Sequence, residues 1–219
     1  MNSDLRYTPS GMRGIEQIPA LYDAMAALIE ALGLARWRKW LVAGARGRIL
    51  DVGCGTGRNL PLYPSGAKPI GLDPSEDALK AARRRAPAVP LVRGSAEALP
   101  FRDGAFDTVV SGLVFCSVPV PSRALAEVRR VLRDDGALRM LEHVRSTSRL
   151  GARWQDFIQP AWTWVMGGCH PNRDTEATVE ASGFEILPDG RRAKRNMRRF
   201  AARPLMPEAG RPSRRGSPR

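Results

Sequence analysis

The stretch Arg48-Ile-Leu-Asp-Val-Gly-Cys-Gly-Thr-Gly-Arg-Asn59 decides the fold of this 219-residue chain. Its apolar residues between 49 and 52 predict a short buried strand. Three glycines at alternate positions, Gly53, Gly55 and Gly57, follow directly. Glycines at such a point let the backbone turn tightly and approach a ligand without an interfering Cβ. The segment therefore predicts a ligand-binding loop at the end of a buried strand.

The spacing of these glycines indicates the kind of ligand. A dinucleotide fold carries G-x-G-x-x-G and seats a pyrophosphate on the following helix. Here the pattern is G-x-G-x-G, and Asp51 precedes it. A carboxylate at this point repels a pyrophosphate but suits a cation such as an ammonium group. Asp73 ends the next predicted strand, where a carboxylate can accept both ribose hydroxyls of a nucleoside.

Strand and helix patterns alternate on both sides of this loop. Besides residues 48–52, strands are expected at 68–73, 89–93, 106–115, 137–144, 184–187 and 198–202, and helices at 20–43, 75–85, 122–132 and within 150–182. The largely apolar run 106–115 is typical of the middle of a parallel sheet. The alternation predicts an α/β fold with a Rossmann-like, doubly wound, mostly parallel seven-stranded sheet and an antiparallel last strand.

Composition indicates one folded domain, expected over residues 1–204, and a basic tail over 205–219 that we expect to be disordered. The net charge is +13, and residues 191–219 hold 11 Lys and Arg against a single acid, Glu208. We therefore expect the basic charge to lie mostly in the tail. The folded domain is then expected to carry little of the net positive charge.

The cysteines and the N-terminal sequence suggest a reducing cytoplasm. Cys54, Cys116 and Cys169 are far apart, form no disulfide framework and show no metal-ligand spacing. Cys169-His170 supplies two ligands, too few for zinc, so no metal site is predicted. The first 20 residues lack the apolar core of a signal peptide, and no run is long enough to span a membrane.

Four segments, ILDVGCGTG, GLDPS, SAEALPF and FDTVVSGLVFCSV, together resemble the class I S-adenosylmethionine-dependent methyltransferases of the small single-domain type. The resemblance implies S-adenosyl-L-methionine as cofactor, with the glycine loop around the methionine moiety, Asp73 at the ribose and Ser95 with Ala96 at the adenine. Ser95 replaces the usual Asp but can still accept a hydrogen bond from the adenine amino group. The implied cofactor-binding residues are Tyr22, Asp51, Gly53, Cys54, Gly55, Thr56, Gly57, Asn59, Asp73, Pro74, Ser95, Ala96 and Glu97.

Candidates for the chemistry of transfer lie at the end of the fifth predicted strand. Methyl transfer from a sulfonium needs no metal, and holding donor and acceptor together supplies much of the rate. Glu142 and His143 are the catalytic candidates, because ligands bind at the carboxyl ends of parallel strands. His143 can take a proton at neutral pH, although a structural histidine is an equal alternative. Cys116 ends the fourth strand and is expected to be a packing residue.

The fragments CSV, EHV, W-Q, P-A-W and G-C-H stand in this order between residues 116 and 170. They resemble the branch whose animal members methylate small alkyl thiols at membranes, which implies a thiol acceptor. Two interpretations of Trp154, Trp162 and Trp164 stay open. They are either core aromatics of a helix or the wall of an apolar acceptor pocket.

A second resemblance, to bacterial phospholipid N-methyltransferases, rests on residues 22–25, 36–40 and 59–64. It implies phosphatidylethanolamine as an alternative acceptor and peripheral contact with an anionic membrane. In the other interpretation the charges are a solvated helix face and the tryptophans cover the core. The residues in question are Arg36, Trp37, Arg38, Lys39 and Trp40.

The leading function is methyl transfer to a small or lipid-like acceptor, with a thiol favoured. Nucleic-acid modification is suggested by the basic run 191–199, but no RNA-binding module accompanies it. A basic tail alone supports only nonspecific contact with polyanions, so no specific nucleic-acid partner is predicted. A non-catalytic cofactor-binding protein is disfavoured because the glycine loop is intact.

Overall fold

The structure, a computed structural model, describes residues 23–24, 34–166 and 168–205. Most of the predicted helix 20–43 lies outside this range, as do Tyr22 and residues 206–219 of the predicted tail. The end of that helix is described as α1 (Ala35–Ala43).

The remaining elements alternate as the sequence predicts. In chain order they are β1 (Arg48–Val52), β2 (Lys68–Asp73), α2 (Glu76–Arg85), β3 (Leu91–Arg93), β4 (Phe106–Gly112), α3 (Pro121–Val131), β5 (Leu132–His143), α4 (Arg149–Val165), α5 (Thr175–Ala181), β6 (Phe184–Lys194) and β7 (Met197–Pro204), with a short 3-10 turn at Leu60–Leu62.

The seven strands form one sheet in the order β3-β2-β1-β4-β5-β7-β6. β7 runs antiparallel to β5 and β6, and the other paired strands are parallel. The predicted fold class is thus confirmed. The winding reverses between β1 and β4, which opens a crevice beyond their carboxyl ends, the place where such sheets bind ligands.

Helices cover the sheet through apolar faces at helical spacing. On α3, Ala124, Leu125, Val128 and Val131 are fully buried. Two of these helices begin at a side-chain cap. Ser75 accepts a hydrogen bond from the Ala78 N–H at 3.2 Å at the start of α2, and Asp174 accepts one from the Ala177 N–H at 3.1 Å at the start of α5.

The last third of the chain confirms one expectation and corrects another. Residues 150–182 are mainly helical, in α4 and α5, with a break between them where Gly168 adopts φ 116 and Pro171 follows. The basic charge, however, is not mainly a tail, because the β6–β7 hairpin extends well past the apolar positions that predicted it. It carries Arg191, Arg192, Lys194, Arg195, Arg198, Arg199 and Arg203.

Candidate functional site

The glycine loop after β1 adopts the left-handed turn that its sequence requires. Gly53, Gly55 and Gly57 have φ of 63, 55 and 79°, a region that favours glycine. A Cβ on Gly53 would lie 2.5 Å from Val114 Cγ2, and one on Gly57 would lie 2.9 Å from the Cβ of Ala82 on α2. A Cβ on Gly55 would meet nothing within 4 Å. Two glycines therefore permit close packing, and the third leaves room for a ligand.

Asp51 lies fully buried beneath this loop. Its carboxylate accepts hydrogen bonds from the Tyr63 hydroxyl at 2.9 Å and the Asn59 amide at 3.2 Å. The Arg38 guanidinium in turn donates to Asn59 Oδ1 at 2.7 Å. Burial raises the pKa of Asp51 to about 6, against the lowering effects of Tyr63, Asn59 and Arg38. An ammonium group nearby would favour the charged carboxylate, as the sequence pattern suggested.

Asp73 joins the end of β2 to the glycine loop. One carboxylate oxygen accepts from the Gly55 N–H and the other from the Ser75 N–H, both at 2.9 Å. Burial raises the pKa of Asp73, and these two N–H groups oppose the rise. Each oxygen keeps a further lone pair, so the carboxylate can still accept ligand hydroxyls. The neighbouring Pro74 is exposed, and its carbonyl accepts from Arg93 Nε at 3.2 Å.

The loop after β3 is held by its own side chains. The Ser95 hydroxyl accepts from the Glu97 N–H at 3.2 Å, and Ala96 is buried. The Glu97 carboxylate accepts from the Val120 N–H at 2.7 Å, just before α3. These contacts give Glu97 a positioning role, and they leave Ser95 and Ala96 as the candidates for contact with an adenine.

An N-terminal residue closes over the glycine loop. The Thr56 hydroxyl donates to Asp23 Oδ1 at 2.7 Å, and Arg85 on α2 donates to Asp23 Oδ2 at 2.6 Å. Arg85 also hydrogen-bonds the Thr56 carbonyl. In the sequence Asp23 directly follows Tyr22, one of the implied cofactor-binding residues, which lies outside the described residues. The Cys54 side chain packs in a small apolar cluster with buried neighbours of α2, and its contact with the cofactor stays a prediction.

Opposite the glycine loop, the chain after β4 turns sharply. Leu113 adopts φ 65, an uncommon conformation for a residue with a side chain. Beneath this turn the Glu142 carboxylate is fully buried and accepts from the Ser111 hydroxyl at 2.8 Å and the Val114 N–H at 3.1 Å. Burial raises its pKa to about 7. These contacts favour a positioning role for Glu142 over direct proton transfer.

Three chemically active side chains converge beside this turn. The Cys116 Sγ, a ring nitrogen of His143 and the Cys169 Sγ all lie within 4.8 Å of one another. Both cysteines are buried and His143 is half-buried. A hydrogen bond with Cys116, helped by contacts from His143 and Trp162, lowers the pKa of the Cys169 thiol despite burial. The sequence missed this cluster because its members stand on three separate segments.

Backbone carbonyls tie these segments together. Arg173 Nη1 donates to the carbonyls of Phe115 at 2.7 Å and Val118 at 2.5 Å. The His170 N–H donates to the Cys116 carbonyl at 2.8 Å. The Gln155 amide of α4 donates to the carbonyls of Val144 at 3.1 Å and Pro171 at 3.0 Å. We call residues 113–118, 143–146 and 168–173, held in this way, the acceptor wall.

Comparisons with known proteins show the family of this chain. A family model described as a methyltransferase domain matches residues 50–140. The demethylmenaquinone methyltransferase of Lactiplantibacillus plantarum is 35% identical over 174 residues, which are 73% of this chain and 70% of that protein. The chain belongs to the class I S-adenosylmethionine-dependent methyltransferases.

One further relative and one solved structure are also similar to this chain. The human thiol S-methyltransferase TMT1B is 37% identical to this methyltransferase over 156 residues, 67% of this chain, which thus spans 64% of the relative's length. A solved structure from Thermotoga maritima, titled a possible histamine N-methyltransferase, superposes with a TM-score of 0.65 at 22% identity, covering 85% of this chain and 97% of that one. At that identity the superposition shows the fold alone.

The cofactor of the methyltransferase is S-adenosylmethionine, which supplies an electrophilic methyl group. The residues present fit it, because Gly55 borders open space and a buried carboxylate, Asp51, stands beneath the loop. Asp73 and the Ser95–Ala96 pair stand at the ends of the next two strands, as a nucleoside requires. Which of these groups contact the cofactor stays a prediction.

The tryptophans of α4 are not core residues. Trp154 is 62% exposed and Trp164 is 61% exposed, and Phe157 between them is also exposed. The interpretation of these residues as core aromatics is therefore wrong for Trp154 and Trp164. Trp162 is less exposed and contacts Cys169, which places it beside the acceptor wall of the methyltransferase.

The basic segment 36–40 is mostly not a membrane-facing element. Arg38 is buried and donates a hydrogen bond to Asn59, and both tryptophans pack on the core beside β1 and β5. The Trp40 ring lies under Arg139 at 4.2 Å and Arg199 at 4.7 Å. Arg36 and Lys39 stay exposed. Among the helices described, none combines the length and apolar character that crossing a membrane requires.

Proposed function

We propose that this methyltransferase transfers the methyl group of S-adenosylmethionine to the sulfur of a small thiol. The acceptor wall carries the proposal. The fragments that resemble the thiol-methylating branch, scattered between residues 116 and 170, come together there through Arg173 and Gln155. Val114 of the wall packs against Gly53 of the glycine loop, so acceptor and cofactor would lie side by side. The 37% identity to a thiol S-methyltransferase supports the same acceptor.

The chemistry of a thiol suits this wall. A thiol becomes a strong nucleophile once its proton is lost, because the thiolate is the reactive species. Sulfur and imidazole groups meet within the wall, where both cysteines are buried and His143 is half-buried, and the adjacent Glu142 carboxylate is buried under the turn. In the segment 36–40 that favoured a phospholipid, Arg38 is buried and both tryptophans pack on the core, so only Arg36 and Lys39 are exposed.

An acceptor screen tests the proposal. Purified protein with labelled S-adenosylmethionine is offered ethanethiol, phosphatidylethanolamine vesicles, demethylmenaquinone and RNA at matched concentrations. We expect the methyl thioether as the dominant product. Ethanol, in which oxygen replaces sulfur, is the matched control and is expected to stay unmethylated. Faster label transfer to the phospholipid, the quinone or RNA would contradict the thiol assignment and name the acceptor class instead.

A further inference from the structure

The cluster at the centre of the acceptor wall has the composition of a metal site. Cys116, His143 and Cys169 each offer one ligand atom, and these atoms lie within 4.8 Å of one another. We propose that they bind one zinc-type divalent ion, whose fourth coordination position takes the sulfur of the acceptor. The second half of this inference rests on the proposed thiol methylation. The metal site itself does not.

The donor set and its spacing fit zinc. Two thiolates and one imidazole are soft to borderline ligands, and such a set binds zinc in preference to magnesium or calcium. In a tetrahedral site with Zn–S bonds of about 2.3 Å, neighbouring ligand atoms lie about 3.8 Å apart. The three atoms of the cluster lie within 4.8 Å of one another, so side-chain movements of about 1 Å would bring them to that spacing. Zinc sites with three protein ligands are typically catalytic, since they keep one position open.

The fold holds the three ligands in place before any metal binds. His143 is the last residue of β5 and pairs with Met197 of β7. The His170 N–H donates to the Cys116 carbonyl, which fastens the segment of Cys169 to that of Cys116. Arg173 secures the same loop at two further carbonyls. Such outer contacts orient metal ligands and raise affinity. They are invisible to sequence spacing, which is why Cys169-His170 alone predicted no metal.

A metal here would supply what a thiol acceptor needs. A thiol that coordinates zinc loses its proton, which leaves to water. The acceptor sulfur then gives an electron pair to the methyl carbon, and the bond between that carbon and the sulfonium sulfur breaks. That bond's pair stays on the donor sulfur, so the products are a neutral thioether and S-adenosylhomocysteine. The neutral thioether is a weaker ligand than the thiolate, which favours product release.

Metal binding to the full-length protein tests the site without using activity. The protein is stripped with a chelator, and Zn²⁺ or Co²⁺ is then titrated back. We expect one ion per chain and thiolate-to-cobalt charge-transfer absorption. Cys169→Ser and His143→Asn are expected to weaken cobalt affinity about 100-fold or more. Cys54→Ser, another buried thiol, and His170→Asn, the neighbour whose ring contacts the Gly168 carbonyl at 2.7 Å, are matched controls and should keep the ion. Circular dichroism checks that each variant is folded.

The fourth coordination position is tested by a separate measurement. Ethanethiol added to the cobalt form is expected to change the cobalt spectrum, and the stripped enzyme should lose thiol methylation until Zn²⁺ is restored. If the wild type binds no metal yet methylates thiols, the metal site is wrong and the proposed function stands. If cobalt binds but ethanethiol leaves its spectrum unchanged, the open position is wrong. If the cobalt spectrum responds to ethanethiol but no thioether forms, the proposed function fails and the metal site stands.

Discussion

On the cofactor side of the crevice, the run 51–59 supplies the turn, a buried carboxylate and the amide that holds it. On the acceptor side, three segments far apart in the chain supply one side chain each, and hydrogen bonds to carbonyls hold them together. The first side is local in sequence and the second is not. A local motif can be recognised from residue types and spacing, whereas an assembled wall exists only once the sheet has formed.

The largest expected effect on the free energy of unfolding comes from a substitution at the contact between the cofactor side and the acceptor side. Gly53→Ala forces a side chain into φ 63 and places its Cβ 2.5 Å from Val114 Cγ2. We expect the free energy of unfolding to fall by about 3 kcal/mol, the sum of backbone strain and overpacking. Gly104→Ala is the control. Its φ is 59 but the space is open, so we expect a loss of about 1 kcal/mol. Urea unfolding measures both, and equal losses would mean that the two sides do not pack tightly.

Asp51→Asn probes the charge buried on the cofactor side. Burial raises the pKa of Asp51 from 3.8 to about 6. The folded state therefore holds this proton more tightly than the unfolded state, and the wild type loses stability as the pH rises from about 4 to 6. The variant has no such charge and should be more stable by about 3 kcal/mol at pH 8, with the difference shrinking toward pH 4.

The same variant should bind S-adenosylhomocysteine more weakly, because it lacks the carboxylate for the amine. Thermal melts across pH and calorimetric titration check the two effects separately. A variant that is less stable than the wild type at pH 8 would show that the hydrogen bonds from Tyr63 and Asn59 outweigh the cost of burial.

Arg173→Ala tests the acceptor side by itself. It removes the two hydrogen bonds to the loop 115–118. We expect kcat with a thiol to fall about tenfold, equivalent to about 1.4 kcal/mol, with affinity for S-adenosylhomocysteine unchanged. Arg203→Ala is the control, since its exposed side chain pairs with Glu185 on β6, outside the acceptor wall. A matching loss of cofactor affinity in Arg173→Ala would show that the two sides form one unit.

Much of the fold was predictable because its signals are local. The strand pattern, the glycine loop and the caps at Ser75 and Asp174 depend on neighbouring residues. The segment 36–40 shows the limit of such signals. The sequence left open whether the two tryptophans cover the core or face a membrane, and in both interpretations Arg38 was a surface charge. In the structure the tryptophans pack on the core under Arg139 and Arg199, and Arg38 reaches the buried Asn59. A single helix does not reveal which of its faces will meet a sheet.

The amino-acid sequence by itself determined the class of fold and indicated the cofactor, and it predicted which carboxylates bind it, because these signals depend on residue type and short spacing. Only the tertiary structure decided which residues share the acceptor wall. Parallel strands bring their carboxyl ends to one edge of the sheet whatever their separation in the chain. Cys116 and His143 meet there, and the loop after α4 adds Cys169 through hydrogen bonds that no pattern in the sequence encodes.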